Sequence, residues 1–125
     1  MTGVEILRGG RMKKGDTLPQ LRVKLLNSEG NAFNLNSSEA KYSVEMTIRR
    51  SDDSDDITAD STNAGGPLEV TEGNDERGIV TYNWQDGDTS TSGTYLAEFV
   101  ADDGSGEEIT FPNEGRSTIY IQERL

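Results

Sequence analysis

Carboxylates are the main chemical resource of this chain. Its 125 residues include 23 Asp and Glu against 12 Lys and Arg, with no histidine and no cysteine. Three acidic clusters have spacings that invite a chemical reading: Asp52-Asp53-Ser54-Asp55-Asp56, Asp86 with Asp88, and Asp102-Asp103 with Glu107-Glu108. The first offers the oxygen-rich set that a hard cation takes, which makes Asp52, Asp53, Asp55 and Asp56 the candidate calcium ligands. It lacks the glycine at the sixth position and the glutamate at the twelfth that an EF-hand loop uses. A solvated charge run is the simpler account of this cluster and of the other two, so no metal site is expected.

A pair of carboxylates can also hydrolyse a glycosidic bond. That chemistry needs a concave apolar pocket with a few convergent polar groups, which a short and polar chain is poorly placed to build. Without cysteine there is no thiolate nucleophile, and without histidine the commonest proton carrier and zinc ligand is missing. The composition therefore argues against an enzyme, and no catalytic residue or cofactor is expected. Exposed aromatics could instead stack on sugar rings. Tyr82, Trp84, Tyr95 and Phe99 fall on alternations that predict burial, which leaves Tyr42 and Tyr120 for a carbohydrate-binding role.

The formal charge is −11 with a pI near 4.3. Such a surface repels nucleic acid and anionic membranes, so neither is expected as a partner. Abundant Asp, Glu and Thr with few Lys also resembles the proteins of salt-loving archaea. The few cations are candidates for protein contacts or for local charge balance: Arg49 and Arg50 end a strong strand, and Lys13 and Lys14 precede the first.

The elements that would position these residues are strands. Leu21, Val23 and Leu25 alternate with Arg22 and Lys24; Val44, Met46 and Ile48 alternate with Glu45, Thr47 and Arg49. The same period of two runs through Val80, Tyr82 and Trp84, through Tyr95, Ala97 and Phe99, and through Ile119 and Ile121. Shorter strands are expected around Phe33 and Leu35, around Leu68 and Val70, and at Phe111. Turn residues separate these runs every eight to twelve positions or so, and no helical period competes. The reading is an all-β immunoglobulin-like β-sandwich of about seven to nine short antiparallel strands, spanning residues 13–125. Residues 1–12 read as an N-terminal arm, with Gly9-Gly10 as a flexible joint and with Val4 and Ile6 as possible partner contacts. Residues 51–66 read as one long mobile surface loop. The N-terminus has no long apolar run, so neither a signal peptide nor a membrane span is expected.

Several ordered pieces resemble a known family. They are Lys14-Gly15-Asp16-Thr17-Leu18-Pro19, the segment Asn27 to Leu35, Ser43 to Arg49, Gly78 to Thr89, Gly93 to Phe99, and Thr110 to Gly115. Together they resemble the immunoglobulin-like domain at the N-terminus of baseplate upper proteins of tailed phages, and similar domains of haloarchaeal tailed viruses. The resemblance spans roughly residues 13–122. It implies a virion structural protein made in the host cytoplasm, a docking module of the tail, baseplate or neck. The implied partners are other virion proteins, such as tail tube, hub or fibre, around several symmetric copies. It implies no catalytic residues. A capsid-surface decoration protein and a carbohydrate-binding module are the alternatives. One local feature echoes immunoglobulin domains directly: Tyr95 stands two residues before Ala97, where those domains carry their second cysteine.

The acidic composition generates a first test. A surface adapted to brine should stay folded near molar KCl and unfold cooperatively as salt is withdrawn, followed by circular dichroism. Equal stability at low and high salt would refute the halophilic reading.

Overall fold

Alternating apolar residues bury themselves only if strands from two sheets face each other, and that is what the chain does. In the computed structural model, which describes residues 2–35, 42–51, 56–61, 66–71, 78–112 and 117–125, ten strands form. They are β1 (Gly3–Arg8), β2 (Arg11–Lys13), β3 (Leu21–Leu26), β4 (Ser43–Arg50) and β5 (Asp56–Asp60), followed by β6 (Leu68–Thr71), β7 (Ile79–Tyr82), β8 (Gly93–Asp102), β9 (Glu108–Phe111) and β10 (Ser117–Gln122). One sheet has the order β1-β3-β7-β6. The other has the order β2-β10-β8-β4-β5, with β9 also paired to β8. This is the strand order of an immunoglobulin-like sandwich, with the N-terminal segment divided between the sheets as β1 and β2 and with β5 as an extra edge strand beyond β4.

The core lies between the sheets. Leu21, Val23 and Leu25 of β3 face Val44, Met46 and Ile48 of β4 and Tyr95, Ala97, Phe99 and Ala101 of β8, all buried in one cluster. Antiparallel register sets Met46 beside Phe99 and Ile48 beside Ala97, and Phe99 also sits beside Phe111. Ala101 continues the inward face of β8, Met12 joins the cluster although no alternation selects it, and Ile79 is buried as well. Phe33 and Val70 are only partly buried against it.

Tyr95 forms the corner that its sequence position suggested. Its hydroxyl donates to the carbonyl of Thr91 at 2.7 Å, tying the start of β8 to the loop before it. Ala97 takes the buried place two residues on.

Four sequence expectations change. The supposed arm is part of the sandwich: β1 pairs with β3 from Gly3↔Leu26 to Arg8↔Arg22, and β2 pairs with β10. The supposed loop over residues 51–66 contains β5, which pairs with β4 from Glu45↔Asp60 to Arg49↔Asp56. There Ile57 and Ala59 pack against the core, and alternation over five residues outweighed the acidic composition around it. The expected strand at Phe33 and Leu35 is only an isolated bridge, Leu26↔Ala32. Finally, the described residues form ten strands where about seven to nine were expected, and the β2–β10 pair is parallel.

Gly9 is therefore a fixed kink and not a flexible joint. It takes φ of +79°, and a Cβ there would clash with the Gln20 carbonyl oxygen and lie 2.7 Å from Leu21 Cα. Gly30 has a similar φ of +84° but nothing within 4 Å of its Cβ position. Gly9→Ala should thus cost the left-handed backbone penalty plus a backbone clash, about 3 kcal/mol or more. Gly30→Ala should cost only the first term, about 1 kcal/mol. Urea unfolding of both variants checks the difference, and equal losses would show that the close approach at Gly9 is not what fixes the crossing.

Candidate functional site

The crossing of the first strand between sheets leaves a groove on the surface. Along β1 the register runs Ile6↔Val23 and then Arg8↔Arg22, so Leu7 is an extra residue in a bulge. Bulges re-aim a side chain, and Leu7 is 42% exposed as a result. Beyond Gly9 the chain enters β2, where Arg11 and Tyr120 are neighbours across a parallel ladder. Neighbours in register share a face, and the Arg11 guanidinium lies 4.5 Å from the centroid of the Tyr120 ring. Ile6, Leu7 and Arg8 form one wall of an open groove of about 310 Å³; Gly10, Arg11, Thr118 and Tyr120 form the rest. Its apolar parts are Ile6, Leu7 and the Tyr120 ring.

The segment that forms much of the groove is rich in cations on a negatively charged chain. The first 14 residues carry four of the 12 cations and one of the 23 carboxylates. Among the described residues the Arg8 side chain makes no ion pair or hydrogen bond, and neither does the Arg11 guanidinium, which lies over the Tyr120 ring. Lys14 differs, reaching Glu123 at 3.8 Å. Arg124 is likewise engaged, donating to the Lys14 carbonyl at 2.8 Å and pairing with Asp16. Exposed pairs of this kind contribute little to stability.

The residues singled out from sequence fall in different places. Ile6 lines the groove, while Val4 packs against the core. Arg49 and Arg50 end β4, and both already interact with neighbours within the chain. Asp52, Asp53 and Asp55 lie outside the described residues; Asp56 opens β5. Among the described residues no group of three or more Asp or Glu stands close enough to hold a metal ion. Asp88 stabilises its own turn, accepting from the Gln85 N–H at 2.8 Å and from the Tyr82 hydroxyl. Asp102 accepts from the Gly104 N–H at 2.7 Å, and Asp103 accepts from both the Ser105 hydroxyl and N–H. Those last bonds hold the Asp103 carboxyl below its ordinary value. Tyr42 is half-buried and meets the Phe33 ring edge-on at 5.2 Å, so of the two sugar-stacking candidates Tyr120 is the exposed one.

Sequence reasoning missed Leu7, Arg8 and Arg11. A faint signal was present: Ile6-Leu7 breaks the alternation of two, which is how a bulge looks in sequence.

No family model matches the chain, and no curated protein matches it. Among solved structures, murine CRIg is similar at 12% identity and a TM-score of 0.41, covering 100% of this chain and 99% of that one.

One buried aromatic pair has consequences for pH. Tyr82 and Trp84 meet edge-on at 5.4 Å, and Trp84 Nε1 has no hydrogen-bond partner among the described residues. Burial, and then the hydrogen bond to Asp88, push the Tyr82 phenol well above its ordinary value of 10.0. The folded state therefore holds this proton after the unfolded state has lost it. Stability from this group is complete below pH 10 and falls as pH rises beyond it. Tyr82→Phe should lose about 1 kcal/mol at neutral pH and show a flatter alkaline limb in thermal melts. An unchanged alkaline limb would mean that Tyr82 is not the group responsible.

Proposed function

We propose that this domain is a non-catalytic docking module of a multi-copy assembly, a structural component of a viral tail, baseplate or neck. The observation that carries the docking reading is the groove at the strand crossing. It combines a bulge-exposed leucine with two guanidinium groups that have no carboxylate partner among the described residues, on a chain rich in carboxylates. Its combination of apolar surface and arginine is what protein contacts favour. The viral context is supported by the ordered resemblance over residues 13–122. Closed symmetric assemblies repeat one contact around a ring, so a single groove per copy is enough to hold one partner each.

Gold-labelled antibody against this chain, applied to purified virions of the source, tests the reading. Label confined to the tail tip or neck is the expected result. Label over the head would replace the tail role with capsid decoration, and particles without label would overturn the viral assignment.

A further inference from the structure

We infer that the groove takes an extended acidic peptide segment carrying one large apolar residue, a conclusion that rests on the docking reading above. Three features of the groove converge on that ligand. The first is charge. Arg8 and Arg11 flank the opening, and a guanidinium binds a carboxylate through two parallel hydrogen bonds. The second is the apolar seat made by Ile6, Leu7 and the Tyr120 ring.

The third is backbone. The Tyr120 N–H donates to the Gly10 carbonyl at 2.9 Å, so Tyr120 turns its backbone groups toward the first strand. Alternation along β10 points the N–H and C=O of Thr118 the same way. At that level β2 has not yet begun, and no described loop residue bonds to them. Thr118 thus offers a donor and an acceptor into the groove, which is how a sheet edge receives an added strand. Only a peptide uses all three features.

The other occupants fit less well. A sugar would stack on an aromatic face, but one face of Tyr120 already carries the Arg11 guanidinium. A second copy of this chain brings a net charge of −11 against −11, which opposes association.

The probe is a displayed library of random decapeptides, selected against the folded domain and counter-selected against the Arg8→Glu/Arg11→Glu double variant. The expected outcome is a consensus with Asp or Glu on both sides of one Leu, Phe or Tyr. The synthetic consensus peptide should bind at least about tenfold more weakly to the double variant and about fivefold more weakly to Leu7→Ala. Binding should also slow exchange of the Thr118 amide, read by NMR, which simple ion pairing would not do. Leu7, Arg8 and Arg11 are exposed or half-exposed surface positions, and matching thermal melts will confirm that the variants fold.

A consensus without acidic residues, or enrichment that ignores the charge reversal, overturns the inference. So does competition by a sialylated oligosaccharide with no peptide enrichment, which would make the occupant an anionic glycan. A dimer in light scattering that the double variant abolishes would make it a second copy. Tail labelling with no peptide binding would leave the docking reading standing and this inference refuted. Peptide binding with unlabelled virions would do the reverse.

Discussion

The N-terminal segment gives β1 to one sheet and β2 to the other, and its change of side at Gly9 governs much of what surrounds it. The carbonyl of Gln20 and the Cα of Leu21 lie so close to Gly9 that no side chain fits there. With the chain pinned to the start of β3, the next three residues are steered onto β10, where Met12 drops into the core. The bulge at Leu7 and the break above β2 are geometric consequences of the same move. A strand that leaves one sheet for another cannot stay in register with both. The groove is what remains on the outside of that mismatch.

The rest of the chain solves a different problem, which is folding with few apolar residues. Only 31% of residues are hydrophobic and 28% are charged. Strands that bury every second residue against a facing sheet make that fraction sufficient. The carboxylates are placed outside this core, and several act locally. Asp88, Asp102 and Asp103 each accept backbone N–H groups of the turns they sit in, so their charge supports short loops. Two of the three clusters that looked chemical in sequence, those at Asp88 and at Asp102-Asp103, owe part of their spacing to turn geometry.

How much was legible follows from the length of each pattern. Six residues of β3, eight of β4 and ten of β8 alternate cleanly, and the core positions on them were readable one by one. The Tyr95 corner was also legible, because its spacing to Ala97 is a local feature. Three residues of β2 give no period, and five of β5 were masked by the acids around Ile57 and Ala59. The groove was illegible for a stronger reason. It joins residues 6–11 to residues 118–120 through a parallel pairing that no local pattern announces. Its one local sign, two adjacent apolar residues, looks like noise in a strand until the register is known.

Salt connects the groove to the acidic surface. At low ionic strength the long-range field of a −11 molecule repels an acidic partner, while the two arginines attract it only at close range. Near 1 M salt the screening length falls to about 3 Å, which removes the long-range repulsion. Contacts between a guanidinium and a carboxylate are then weakened but not abolished, because they operate at about that distance. Leu7 and the Tyr120 ring are unaffected by screening, since apolar burial does not depend on charge. A groove of mixed apolar and arginine character would therefore keep more of its attraction for an acidic segment at high salt. An exclusively ionic patch would lose most of its attraction under the same conditions.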